Sequence, residues 1–154
     1  MRNMENRKRV YVTFWLSLLL IFGCESLCMA QSYSNIDNIG QQAFNIIHNL
    51  NNLSCQQFAE YFTSARHVYS RVTGEEIPLS SIQENYSDLQ QKAKQYAISW
   101  NKTKYLSFKY YSPVEENGVL GYKGRVYLQH GSMEFNIVVV FIQYEGRYYI
   151  LSIY

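Results

Sequence analysis

Apolar residues recur at helical spacing through the first half of the chain and at strand spacing through the second half. Between residues 36 and 50 they return every three or four positions, as on one face of a helix. This predicts a first helix, interrupted at Asn51 and Asn52. The stripe comprises Ile36, Ile39, Ala43, Ile46, Ile47 and Leu50.

Two further helix starts are indicated by serine followed three residues later by Gln or Glu, the spacing of a capping box. Ser54 with Gln57 predicts a short helix that ends near Ser64. Ser81 with Glu84 predicts the start of the longest helix. Its apolar stripe comprises Ile82, Tyr86, Leu89, Ala93, Tyr96, Ala97 and Trp100.

Residues 65–78 lie between these two helices and contain Gly74 and Pro78. We find no helical stripe in this segment, and both residues interrupt regular structure. The segment is therefore predicted to be a loop or a short edge strand. The first half then has two short helices and one long helix.

From Thr103 onwards, short runs rich in Tyr, Val, Ile and Phe alternate with turn dipeptides at residues 117–118, 131–132 and 145–146. Glycine in each dipeptide supplies the positive φ that tight hairpin turns require. The second half is therefore predicted to be a four-stranded antiparallel meander. Together with the helices, this predicts an α+β fold in which the helices pack on a curved sheet.

The register of the middle hairpin follows from its turn. A two-residue turn at Gly131-Ser132 places six apolar residues on one face. They form the pairs Leu128 with Phe135, Val126 with Ile137, and Tyr122 with Phe141. A two-residue turn at Asn117-Gly118 would put Leu106, Phe108 and Tyr110 on the other face, so we expect a three-residue loop with a glycine bulge there.

The strand after Gly131 is apolar on both faces, because Val138, Val140 and Ile142 alternate with the residues just paired. A strand of this kind is covered on both sides, or meets a partner on one of them. The sequence therefore predicts a second covering element or an interaction surface, including a possible homodimer through the sheet.

Three local patterns carry a resemblance to a known superfamily. They are Ala43-Phe44-Asn45-Ile46, the pair Phe58 and Phe62, and Glu145-Gly146-Arg147-Tyr148-Tyr149-Ile150. Together with the order of helices and meander, they resemble the cystatin-like cone of the nuclear transport factor 2 superfamily, in particular its small exported bacterial domains. The resemblance implies a sheet wrapped around the long helix, with a conical cavity used for catalysis in some relatives and for binding in others.

Residues 1–30 are typical of an export signal. Basic residues in positions 1–9 precede a 13-residue apolar stretch from Val10 to Phe22, which is too short to cross a bilayer. Small residues at Cys28 and Ala30 favour cleavage after Ala30, giving a signal peptide at 1–30 and one domain at 31–154. The alternative is lipidation at Cys24, which would anchor the protein to a membrane. We expect an exported protein, periplasmic or secreted.

Charge argues against one class of partner. Residues 1–30 hold four of the 14 Lys and Arg and two of the 12 Asp and Glu, so residues 31–154 have a formal charge of zero. Residues 31–154 contain no basic cluster in the sequence. Binding to nucleic acid depends on such a cluster, so we expect no nucleic-acid partner.

His130 is the strongest candidate for chemistry, because its register places it on the apolar face at the mouth of a hairpin. Glu134 is predicted on the other face, opposite Gln129, which disfavours a His130–Glu134 dyad. Metal-ligand spacings and cofactor motifs are absent from the sequence. We assign no catalytic residue, no metal site and no cofactor.

Tyrosine is the most distinctive residue of the chain, with 15 copies concentrated in the strand-rich half. Tyrosine suits binding surfaces because it joins a large apolar ring to a hydroxyl group, although β-propensity alone would also place it in strands. The candidate binding residues are Tyr105, Tyr111, Tyr122, Tyr127 and His130. Among them, Tyr105, Tyr111 and Tyr127 are expected to be exposed.

These observations favour an exported, non-catalytic binding domain. Its ligand would be a small apolar or sugar-like molecule in the cone, or a protein on the tyrosine-rich sheet. One alternative is a periplasmic immunity protein that neutralises a toxin. Another is an enzyme of the isomerase or dehydratase kind that uses His130.

Overall fold

The structure is a computed structural model that describes residues 32–154. The predicted cleavage site, Cys24 and Cys28 lie outside the described residues. The helices are α1 (Asn38–His48), α2 (Cys55–Glu60), α3 (Thr63–Thr73) and α4 (Leu79–Gln95). The strands are β1 (Lys104–Tyr110), β2 (Val114–Glu116), β3 (Val119–His130), β4 (Met133–Tyr144) and β5 (Arg147–Ile153).

The sheet is antiparallel, with strand order β1-β3-β4-β5, and the short β2 pairs with β3 beyond the end of β1. Helices followed by a meander confirm the predicted α+β class. The predicted counts were each one too low, because the described residues hold four α-helices and five strands. Short 3₁₀ turns at Leu50–Asn52 and Trp100–Lys102 complete the elements.

The main core lies between one face of the sheet, here called the inner face, and helices α1, α2 and α4. The stripe predicted for the first helix is buried from Ile39 to Leu50, with Ile39, Ala43 and Ile47 inaccessible to solvent, whereas Ile36 precedes the helix and is half-buried. The predicted middle-hairpin register is confirmed, so the six apolar residues that it pairs face this core. The inner face is therefore a packed hydrophobic layer.

Helix α2 begins as predicted. The Ser54 hydroxyl accepts a hydrogen bond from the Gln57 backbone at 3.2 Å, and the Gln57 side chain accepts one from the Ser54 backbone at 2.9 Å. The second predicted capping box was wrong. Helix α4 begins at Leu79 after Pro78, and the Ser81 hydroxyl donates to the Pro78 carbonyl instead. The extended backbone of Pro78 starts this helix two residues before the predicted serine.

Helix α4 is also shorter than its predicted stripe. It ends at Gln95, and Tyr96 is 55% exposed. Trp100 is buried, but it reaches the core from the separate 3₁₀ turn. The chain leaves the helix through Ala97, which has a left-handed backbone conformation with φ of 50°.

Helix α3 contradicts the prediction of a loop or edge strand over residues 65–78. Ala65, Val68, Tyr69 and Val72 form a narrow apolar stripe that packs on the opposite, outer face of the sheet. This second core contains Val119, Ile142, Tyr149 and Leu151 from the sheet. Tertiary packing of a narrow stripe therefore stabilises a helix whose exposed side is polar.

The three-residue loop with a glycine bulge that was predicted at Asn117-Gly118 was also wrong. Asn117 and Gly118 both have positive φ and form a two-residue turn, with Glu116 opposite Val119. The irregularity lies instead in residues 111–113, between β1 and β2. A register shift there, and another between Tyr105 and Ser107, keep Phe108 on the inner face opposite Val126.

Candidate functional site

The five candidate binding residues do not converge on one site. Tyr122 is a core residue, with only 9% of its surface exposed. Tyr105 is half-buried and packs against the same core, which contradicts the expectation that it is exposed. Tyr111 is 55% exposed beyond the end of β1. Tyr127 faces outward from β3 but is also half-buried, so the expectation that it is exposed was wrong as well.

Tyr122 belongs to a cluster of aromatic rings on the inner face. Its ring stacks on Phe141 with a centroid separation of 4.9 Å and meets the rings of Tyr110 and Tyr148 edge-on. The hydroxyl donates to Gln143 Oε1 at 3.2 Å. Burial raises the pKa of Tyr122 above its ordinary value, and neighbouring Tyr148 and Tyr110 raise it further. Tyr122 and Phe141 of this cluster are therefore part of the main core.

Tyr105 is placed by the bulge in β1. The ring lies 5.8 Å from that of Phe44 on α1, measured between centroids. Burial raises the pKa of the Tyr105 hydroxyl. The register shift that keeps Tyr105 on the inner face leaves Leu106 43% exposed. Tyr105 was predicted to face outward, but its neighbour Leu106 does so instead.

His130 ends β3 as predicted, at the two-residue turn, and is half-buried. Its Nε2 atom accepts a hydrogen bond from the Ser99 backbone N–H at 3.3 Å. Glu134 is paired with Gln129, so the predicted separation of Glu134 from His130 is confirmed. With Nε2 engaged by the backbone, the geometry makes His130 a link between the hairpin and the chain after α4.

A cavity of about 200 Å³ opens beside Trp100, between the end of α4 and the start of β4. Its walls are mostly apolar, and Lys92 contributes the only side chain with a formal charge. The buried Trp100 Nε1 atom has no hydrogen-bond partner among the described residues. The lining residues are Leu89, Lys92, Tyr96, Ile98, Trp100, Met133, Phe135, Asn136 and Ile137. A small apolar molecule matches these walls.

The outer face of the sheet has two halves. Helix α3 covers the half near the β4–β5 turn, where Ile142, Tyr149 and Leu151 are buried. The predicted double cover of β4 is therefore confirmed for that part of the strand. No described element of the second core reaches the other half, where Tyr127 and Val138 are only half-buried.

We call this second half the open face and define it by Lys109, Lys123, Arg125, Tyr127, Val138 and Tyr154. A single row crosses the sheet here, because Lys109 pairs with Arg125, Arg125 with Val138, and Val138 exchanges backbone hydrogen bonds with Tyr154. At the usual strand separation the row spans about 15 Å.

Two cations lie over aromatic rings of the open face. Lys109 Nζ is 5.7 Å from the ring centroid of Tyr127, and Lys123 Nζ is 5.8 Å from that of Tyr154. Both distances are within the range of a cation–π contact. The open face therefore presents aromatic surface and positive charge together.

Among the residues of the open face, Tyr127 was predicted from the sequence, whereas Lys109, Lys123 and Arg125 were not. The signal was present in β3, because residues 123, 125 and 127 alternate with the buried residues of the confirmed register. Lys109 joins them only through the register shift in β1. These cations are scattered in the sequence, and folding brings them to one surface.

Other kinds of site find little support in residues 32–154. No group of three or more His, Cys, Asp or Glu residues in this range could hold a metal ion. Cys55 is the free cysteine of the described chain and is half-buried. Within the same range, no helix has the length and hydropathy needed to cross a membrane.

Comparison of the chain with protein families, with curated proteins and with solved structures finds no match.

Proposed function

We propose that residues 31–154 form an exported, non-catalytic binding domain that uses the open face to bind a protein partner. The row from Lys109 to Tyr154 carries this proposal. Aromatic rings and arginine are enriched where proteins bind each other, and half-buried apolar residues between them gain most from being covered. The export part of the proposal depends on the sequence pattern of residues 1–30.

The order of helices and meander supports the likeness to the cystatin-like cone as part of this proposal. In such a fold the inner face would be the binding side. Here Tyr122, Phe141 and Val126 pack that face closely with the helices. This packing favours the outer face of the sheet as the binding surface. An immunity protein would be one form of the same activity, with a toxin as the partner.

A small apolar ligand beside Trp100 is the second candidate function. The 200 Å³ cavity favours it, and so does the strained Ala97, which positions the cavity residues Tyr96 and Ile98. Native mass spectrometry of protein purified without denaturation tests it. A retained small molecule that is lost in Phe135→Ala would support the cavity. A mass equal to that of the chain alone, with no gain on adding apolar probes such as indole, would count against it.

Site-specific photocrosslinking tests the proposed function. A photoreactive amino acid replaces Tyr127 on the open face or, as the control, the exposed Gln83 on α4, and the protein is illuminated in cells of its source organism. We expect one discrete protein adduct from position 127 that does not form from position 83. Identical adducts from both positions, or none, would refute the proposal.

The enzymatic alternative has its own test. If His130 were a general base, His130→Ala would abolish turnover of a substrate while leaving binding intact. Since the Nε2 atom accepts from the Ser99 backbone, we expect this substitution to lower stability instead.

A further inference from the structure

We infer that the partner of the open face presents an acidic protein surface. This inference rests on the proposed function and specifies the chemistry of the partner. It follows from the placement of positive charge on the outer face, which neither the composition nor the net charge of the domain reveals.

The three cations of the open face are exposed, and none of them forms an ion pair within the described part of the chain. Lys109 lies over the ring of Tyr127, and Lys123 lies over the ring of Tyr154. A cation–π contact leaves the ammonium charge uncompensated. The open face therefore carries three positive charges that are available to external carboxylates.

Lys109 and Arg125 are directly opposite each other on neighbouring strands. Like charges in this arrangement destabilise a sheet. Nothing in the fold requires both residues to be basic, because both side chains are exposed. A carboxylate placed between them by a partner would turn this repulsion into two favourable contacts.

Three acidic residues of the strand-rich half lie away from the open face. Glu134 is at the start of β4, Glu145 is in the β4–β5 turn, and Glu115 is on β2. At the β3–β4 end, Lys104 and Glu134 flank Gln129 on its two sides, so their charges partly offset each other. The uncompensated charge is therefore concentrated in the middle of the sheet.

An acidic protein fits the open face better than three other partners. A second copy of this chain is disfavoured, because a symmetric contact would bring six cations together. Polyanion binding relies on many phosphate contacts, about six to ten in salt-sensitive DNA-binding proteins, and lipid-binding basic clusters hold about four to eight Lys or Arg. Three cations interspersed with aromatic and valine side chains instead match a folded surface with a few carboxylates.

The test uses a soluble peptide of alternating Glu and Tyr as an acidic polypeptide probe, with a Gln and Tyr peptide as its uncharged control. Titration is followed by backbone amide NMR. We expect the acidic peptide to bind, with shifts concentrated in β1, β3 and the end of β5. Because screening shortens to a few ångströms, raising salt from about 0.05 M to about 0.5 M should weaken binding about tenfold.

Matched variants separate local charge from net charge. Lys123→Gln with Arg125→Gln should weaken acidic-peptide binding at least about fivefold, whereas Lys94→Gln with Lys102→Gln, which removes the same charge elsewhere, should leave it unchanged. The Arg125→Gln variant should unfold at an equal or higher urea concentration, because repulsion by Lys109 is relieved. An unfolding midpoint for Lys123→Gln with Arg125→Gln close to that of the unmodified protein excludes misfolding as the cause of weaker binding.

Equal binding of both peptides, equal effects of both variant pairs, or binding only to heparin, duplex DNA or anionic phosphatidylglycerol vesicles would overturn the inference. If the adduct from position 127 is unaffected by Lys123→Gln with Arg125→Gln, the inference of an acidic partner is overturned, but the proposed function is retained. Binding of the acidic peptide without any adduct from position 127 would support the preference of the open face for acidic partners, but it would refute the proposed function.

Discussion

Ala97 occupies a left-handed position that glycine holds at lower cost. It follows α4, where the Ile98 N–H donates to the Ala93 carbonyl at 2.8 Å and closes the helix end. A left-handed backbone costs an L-residue about 1–2 kcal/mol, and glycine avoids this because it has no Cβ. The residue carries strain where the chain turns towards the cavity.

Ala97→Gly should therefore raise the free energy of unfolding by about 1 kcal/mol, measured by urea denaturation. Gln91→Gly is the control, because Gln91 is an exposed residue inside helix α4. There glycine should lower stability by about 1 kcal/mol. A loss of stability in both variants would show that Ala97 is not strained.

Tyr122 gives a pH dependence. Burial first, then Tyr148 and Tyr110, raise the pKa of Tyr122 in the folded state. The unfolded chain loses this proton near pH 10, the ordinary pKa of tyrosine, while the folded protein retains it. Stability is therefore full below about pH 10 and falls as the pH rises towards the folded-state pKa.

Tyr122→Phe should flatten this alkaline loss of stability, measured by urea denaturation between neutral pH and about pH 11. Tyr33 and Tyr105 also have raised pKa values because of burial, so part of the dependence should remain. At neutral pH the variant should be less stable by about 1 kcal/mol, since it loses the hydrogen bond to Gln143. Parallel pH profiles for both proteins would contradict this account.

At the scale of elements, α1 docks on the sheet through Phe108. A Cβ added to Gly40 on α1, or to Gly124 on β3, would overlap the Phe108 side chain. The two glycines leave the space that this ring fills between helix and sheet. Gly40 is therefore kept in a helix despite its low helix propensity, because packing outweighs propensity here.

Gly40→Ala should lower the free energy of unfolding by about 1–3 kcal/mol, although alanine is the better helix former. In a Phe108→Ala background the same change should cost nothing, or raise stability by up to about 1 kcal/mol. A double-mutant cycle measured by urea denaturation gives the coupling. Equal costs in both backgrounds would show that Phe108 does not set the requirement for glycine.

The elements also show how far the sequence predicts the fold. The middle hairpin was predictable because its turn and its alternation agree, so a shift of one residue would expose every buried side chain. Helix α3 was missed because its apolar stripe is narrow and contains Val68 and Val72, which favour strands. Gly74, in the left-handed conformation at its end, was the available signal.

The candidate site was less predictable than the fold. The sequence pattern found Tyr127, but the bulge at Tyr105 and Ser107 decides which residues of β1 face outward. Bulges depend on long-range packing, and a single sequence carries little information about them. The outward row containing Lys109 and Arg125 therefore became visible only with the three-dimensional register.

For the whole molecule, the charge of the open face bears on self-association. The sequence-based expectation included a homodimer through the sheet. Two copies joined symmetrically at this face would place Lys109, Lys123 and Arg125 against the same residues of the partner, which is unfavourable without counterions. We therefore expect a partner of a different kind to cover this surface.

Sedimentation at low ionic strength should accordingly show a monomer. At low ionic strength the open faces of two copies repel each other, whereas at 0.1 M salt this repulsion is screened beyond about 10 Å. Lys109→Gln with Arg125→Gln should be the variant most prone to self-associate. A stable dimer of the unmodified protein at low salt, unaffected by these changes, would indicate a different interface.

The central claim is tested most directly with the partner protein that crosslinks to position 127. Its affinity is measured for the Tyr127→Ala variant and for the Tyr96→Ala variant of this chain, each compared with the unmodified protein. Both tyrosines reach the surface, but Tyr96 lies at the end of α4, away from the open face. We predict a loss of about 2 kcal/mol or more for Tyr127→Ala and less than about 0.5 kcal/mol for Tyr96→Ala. Equal losses, or no loss at Tyr127, would contradict the assignment of the open face as the binding surface.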